Sequence, residues 1–142
     1  MTPAAEPAPL TGWRLGVAAF ALALANFVVV LDTTVANVSV PHIAGGLAVS
    51  PSQGTWAITS YAVADAISVP LTGWLAARFG SVRTFLSCLV GFGIFSLLCG
   101  LSQSLSMLVA FRILQGLSGG PMMPLSQTLL MRIFPKDRQA AA

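Results

Sequence analysis

Three ionisable side chains occupy positions where charge is costly. Asp32, Asp65 and Arg112 each lie inside an apolar run long enough to cross a bilayer. A charge at the centre of a membrane helix costs on the order of 2.5–3.5 kcal/mol on insertion scales, so each is expected to have a function or a partner. Around Asp32 the chain reads LDTTVANVSVP, Leu31 to Pro41. The chemistry on offer is the handling of protons or cations. A carboxylate can take up a proton, and a nearby guanidinium favours its ionised form. The remaining reactive residues offer less. His42 reads as a loop residue, with a proton-handling role as the lesser alternative. Cys88 and Cys99 have no C-x-x-C spacing and no histidine cluster, so they read as buried thiols. There is no nucleophile–base set, metal cluster or phosphate loop, so the sequence points to neither an enzyme nor a resident cofactor.

The elements that position these residues follow from composition. Of 142 residues, 56% are hydrophobic and 8% charged. Soluble domains carry about 25% charged residues, so this chain is expected to be an integral membrane protein. The fold class is all-α, a polytopic transmembrane helix bundle. Residues 1–14 form a Pro- and Ala-rich cytoplasmic tail, with Trp13 and Arg14 as an interface anchor. Spans are predicted at about 15–39, 55–76, 84–101 and 107–131, since a bilayer core needs roughly 20 helical residues. Pro41 to Ser52 reads as a loop, Gly73 to Arg83 as a tight connection and Ser102 to Ser106 as a short loop. Residues 132–142 begin a cytoplasmic loop. The third span lacks charge and carries Phe85, Phe92 and Phe95, so it is predicted to be the most lipid-exposed.

Within span one, Asn26, Thr33 and Asn37 share a polar face opposite Leu24, Leu31, Val35 and Val38. In span two, Tyr61, Asp65, Ser68 and Thr72 form one stripe. In span four, Arg112, Gln115, Gly116 and Gly119 share a face. Gly116 and Gly120 make a small-xxx-small pair suited to close helix approach. Pro121 and Pro124 are expected to kink that span.

Six of the seven basic residues lie outside the spans: Arg14, Arg78, Arg83, Arg132, Lys136 and Arg138. Alternating spans bring all six to one side, which the positive-inside rule makes cytoplasmic. The basic residues are spread between apolar runs, which argues against a nucleic-acid partner. The seventh, Arg112, lies in span four. Counting 1.5 Å per residue puts Asp32 and Arg112 both roughly 7–9 Å outward of the membrane centre. Two readings stay open. The pair is a static strut, or a proton or cationic substrate competes with Arg112 for Asp32 and shifts a conformational equilibrium. Asp65 is either a hydrated cavity residue or a second functional acid.

Three of these stretches resemble a known family. LDTTVANVSVP is similar to the first-helix signature of drug:proton antiporters in the major facilitator superfamily. GWLAARFGSVR resembles the superfamily's loop between helices two and three, usually G-x-L-A-D-R-x-G-R-R. LVAFRILQGLSGG resembles its fourth-helix signature L-x-x-x-R-x-x-Q-G. The stretch QGTWAITSYAVADAISVPLTGWLA is most like the fourteen-helix EmrB/QacA type. Three motifs in order form a specific signal, and the resemblance spans Leu15 to Arg138.

The resemblance implies that Asp32 and Arg112 couple protons to transport. It implies that Asn26, Thr33, Asn37, Tyr61, Asp65 and Gln115 line a substrate cavity, and that Gly73, Arg78, Gly80 and Arg83 belong to a cytoplasmic gating loop. Gly116, Gly119 and Gly120 would serve helix packing. The loop departs from the family pattern at Ala77, where an aspartate is usual, and at Ser81 and Val82. A structural reading of the loop therefore stands beside the gating one, with Gly80 making the turn and the arginines setting topology. Carriers of this kind join two helical halves around a midplane site. Four spans correspond to part of one half, so the chain reads as an N-terminal fragment whose partners include the missing helices. A small oligomeric membrane protein is the alternative. The implied activity is proton-driven export of amphiphilic, often cationic compounds across the inner membrane. The rivals are a carrier for one metabolite and an inactive four-span subunit.

Overall fold

The structure, a computed structural model, describes residues 12–134. Glu6 and most of the predicted tail lie outside the described residues, as do Lys136, Asp137 and Arg138. Among the described residues every regular element is an α-helix: α1 (Trp13–Gly46), α2 (Pro51–Phe79), α3 (Ser81–Gly100), α4 (Leu105–Gly119) and α5 (Met122–Ile133).

The first helix runs well past residue 39. Pro41 lies inside it, and His42 is an exposed helical residue rather than a loop residue. Proline removes one backbone donor, and here the helix continues for another turn beyond it. It closes where Leu47 N–H donates to Ile43 O at 3.0 Å and Val49 N–H to Ala44 O at 2.9 Å. The second helix begins earlier than predicted because Ser50-Pro51-Ser52-Gln53 is a start signal, not loop. Gln53 N–H donates to Ser50 Oγ at 3.3 Å, and Ser50 N–H donates to Gln53 Oε1 at 3.0 Å. This is a reciprocal capping box with proline at the first helical position.

Gly73 to Arg83 is helical on both sides of a single joint, Gly80, so the predicted connection reduces to one residue. Gly80 has φ 87°, a conformation that favours glycine. Thr84 locks the joint, its hydroxyl donating to Gly80 O at 2.8 Å and to Leu75 O at 3.3 Å. The fourth span is two helices. Pro121 offers no N–H to Leu117 O, and Pro124 none to Gly120 O, so the helix breaks at Gly120–Pro121 into α4 and α5.

Helix α4 is central, packed most closely against α2 and next against α3. The α2–α4 contact depends on two glycines one turn apart. A Cβ at Gly116 would lie 2.5 Å from Tyr61 O, and one at Gly120 would lie 2.6 Å from Asp65 O. The backbones therefore approach as the small-residue pair predicts. Ser68 uses this closeness, donating to Asp65 O at 2.8 Å and to Gly116 O at 3.4 Å across the interface.

The phenylalanines of α3 overturn one expectation. Phe85 and Phe92 are 6% and 2% exposed and join Leu22, Tyr61, Met122 and Leu125 in the core. The outward face of α3 is built from Val82, Leu86, Val90, Ile94 and Leu97 instead. Over its most apolar stretch 11% of α1 is buried, against 17% of α3, so α1 is the more exposed helix. Beyond Arg83 in its first turn α3 carries no acid or base, and so gives no sign in its sequence of which face turns inward. Among the described residues, α1 and α3 are long and apolar enough by themselves to cross a membrane.

Candidate functional site

Arg112 Nη1 donates to Asp32 Oδ2 at 2.7 Å, joining α4 to α1. Their side chains are 10% and 17% exposed, so both charges are largely withdrawn from solvent. A carboxylate and a guanidinium buried this way are tolerable only together. Removing either leaves an uncompensated charge. The other carboxylate oxygen, Asp32 Oδ1, accepts from the Ser96 hydroxyl of α3 at 3.4 Å. Three helices therefore converge on one carboxylate. Sequence reasoning missed Ser96, whose only signal was a hydroxyl three residues before Cys99 in an apolar span.

Arg112 borders two cavities. One, of about 490 Å³, lies between α1, α3 and α4 and is lined by Asp32, Ser96, Cys99 and Arg112 with Val35 and Leu108. The other, of about 220 Å³, lies between α1, α2 and α4 and includes Thr33, Asn37, Tyr61, Asp65 and Arg112. Thr33, Tyr61 and Asp65 also line a third, more apolar cavity of about 430 Å³, with Val29, Val69, Met123 and Gln127. The ion pair thus stands at the wall between the α3 side of the bundle and the α2 side.

Four of the predicted cavity residues are therefore brought together: Thr33, Asn37, Tyr61 and Asp65. Thr33 spends its hydroxyl hydrogen on Val30 O at 2.8 Å, leaving oxygen lone pairs toward the cavity. Tyr61 is buried, and its hydroxyl has no partner among the described residues. A Cβ at Gly119 would lie 2.8 Å from that hydroxyl, so Gly119 leaves the phenol its space.

Asn26 and Gln115 are placed elsewhere. Asn26 Nδ2 donates to Ser126 Oγ at 2.7 Å, tying α1 to α5. Gln115 is 0% exposed and packed inside the bundle, its Oε1 accepting from Cys99 Sγ at 3.6 Å. Both are interhelical ties, and neither lines the three cavities above. Helical spacing placed Gln115 beside Arg112 correctly, but not how deeply α3 would cover it. Gln127, which sequence reasoning missed, lies four residues after Met123 on the cavity side of α5.

At the Gly80 joint, Gly73 is exposed with no neighbour within 4 Å of an added Cβ. Arg78 lies over Trp74, 5.6 Å from the ring centroid, and 5.9 Å from Phe79. Arg78 and Arg83 line a separate cavity of about 510 Å³.

The described residues form an all-helical bundle with a buried acid–base pair between α1 and α4. The chain belongs to the Major Facilitator Superfamily, whose pattern it matches over residues 22–142. Exporters of that superfamily are membrane proteins and are generally not enzymes. Among its relatives is the multidrug export protein EmrB of Escherichia coli (strain K12), 53% identical over 134 residues, which cover 94% of this chain and 26% of that protein. The fatty acid resistance protein FarB of Neisseria gonorrhoeae is likewise 53% identical over 134 residues, with the same shares of 94% and 26%. The probable multidrug resistance protein EmrY of Escherichia coli (strain K12) is 48% identical over 136 residues, 96% of this chain and 27% of that protein. The chain spans about a quarter of the length of these curated relatives. No solved structure matches it.

Proposed function

We propose that this chain is the N-terminal part of a proton-coupled efflux carrier for amphiphilic compounds, working by alternating access in the inner membrane. The observation that carries the reading is the Asp32–Arg112 pair at 2.7 Å, set between two cavities. When Asp32 is ionised, the pair clamps α1 to α4. Proton uptake neutralises the carboxylate, and Arg112 loses its counter-charge. The arrangement with the clamp open is then relatively favoured, and that difference between states links the proton to the switch. Substrate would bind in the cavity walled by Val29, Val69 and Met123, where apolar area supplies most of the affinity. Asp65, Tyr61, Thr33 and Asn37 would orient it. Relatives named for multidrug export and for fatty acid resistance support amphiphilicity, rather than positive charge alone, as the common property. Both ends of the described region would face the cytoplasm, and the remaining helices of the carrier would complete the substrate site.

The test is Asp32→Asn in the complete carrier, expressed in a host lacking its own efflux pumps. Insertion should be unchanged, while proton release on substrate addition and resistance to toxic amphiphiles should both fall to background. Efflux that persists undiminished removes Asp32 from the mechanism. Protection against one metabolite only would favour a dedicated carrier.

A further inference from the structure

We propose that the Gly80 end of the α2–α3 hairpin binds the phosphate of an anionic phospholipid between Arg78 and Arg83. This rests on the membrane family and the local geometry, not on the coupling role of Asp32. Arg78 and Arg83 line one cavity of about 510 Å³ together with Leu75, Phe79, Ser87 and Cys88. Among the described residues neither arginine has an acidic partner. The acids there are Asp32, which holds Arg112, and Asp65, which lines the two cavities on the α2 side. Residue 77, between Ala76 and Arg78, is an alanine and offers no carboxylate. Two positive residues therefore line one space with no anion from the described residues.

The backbone adds to that demand. Arg83 stands in the first turn of α3, where the helix dipole already favours an anion and no acidic side chain is present. The Ser87 hydroxyl makes no hydrogen bond among the described residues and is free to donate. The level along the membrane normal is also suitable. Trp74 is 59% exposed beneath the Arg78 guanidinium, as aromatic residues are at the headgroup layer. Basic pockets between membrane helices at that level recognise lipid phosphates. The apolar floor decides between sources of phosphate. A glycerophospholipid places its glycerol and first acyl carbons against Leu75 and Phe79, whereas a soluble phosphate ester leaves that surface bare.

The chain is reconstituted in nanodiscs of four parts phosphatidylcholine to one part phosphatidylglycerol, and the lipids it retains are weighed by native mass spectrometry. Phosphatidylglycerol should be enriched severalfold over its bulk share. The double substitution Arg78→Gln/Arg83→Gln should return it to the bulk share, while Arg132→Gln, away from the cavity, should not. Because the arginines also set topology, Ser87→Trp, which fills the cavity and keeps both charges, should abolish enrichment as well. A wild-type chain at the bulk ratio overturns the proposal, as does enrichment that persists in either cavity variant once inserted. Displacement of the retained lipid by millimolar glycerol phosphate assigns the site to a soluble anion and overturns the lipid source.

Discussion

Arg112 is 8% exposed and holds the Asp32 carboxylate, on which the first, third and fourth helices converge. Its value to the fold is visible only when its partner is lost. Arg112→Leu leaves the Asp32 carboxylate buried without its partner, and is expected to lower stability by about 3–5 kcal/mol, read as thermal unfolding in detergent. The double variant Asp32→Leu/Arg112→Leu should recover most of that loss, because no charge is left stranded. A double variant as unstable as the single one would mean the pair is not the source of the effect. Asp32 and Arg112 were legible from apolar context and matched depth. Ser96 and Ser126 were not, because a serine in an apolar helix has no directional signal until its neighbour is known.

At the scale of elements, the α2–α4 interface is the tightest joint and the least tolerant. Gly116→Val places its side chain against Tyr61 O, where an added Cβ already lies 2.5 Å away. Overpacking of this kind costs about 1–3 kcal/mol and should push α2 from α4, which a lowered thermal midpoint would report. Gly93→Ala, with nothing within 4 Å, is the control and should be neutral or slightly stabilising, since alanine favours helix. Equal losses in both variants would show that helix propensity, not close approach, sets the cost. The glycine pair was readable because small residues one turn apart on a helix have few other uses. Helix ends were harder. Pro41 and Pro51 both read as loop residues in the sequence, yet one lies inside a helix and the other opens one. A proline's meaning depends on whether the turn around it has other bonds.

For the whole molecule, the four arginines Arg14, Arg78, Arg83 and Arg132 lie outside or at the ends of the predicted spans, with Arg78 and Arg83 flanking the Gly80 joint. The positive-inside rule predicts a cytoplasmic joint, which labelling tests. With Cys88 and Cys99 replaced by alanine, Ser52→Cys and Gln103→Cys should react with an impermeant maleimide on intact cells. Val82→Cys should react only after permeabilisation. The reverse pattern would invert the orientation and move the Asp32 side of the pair toward the cytoplasm.

Composition, the placement of basic residues and three ordered motifs were enough to place the chain in a helical membrane family and to pair an acid with a base. Those properties are local or additive, so they can be read along the chain. Which oxygen Arg112 takes, that α3 turns Phe85 and Phe92 inward, and that Asn26 and Gln115 tie helices together were decided only by tertiary packing. A helix rotated by one residue exchanges such roles without altering its own composition, and only its neighbours select the rotation.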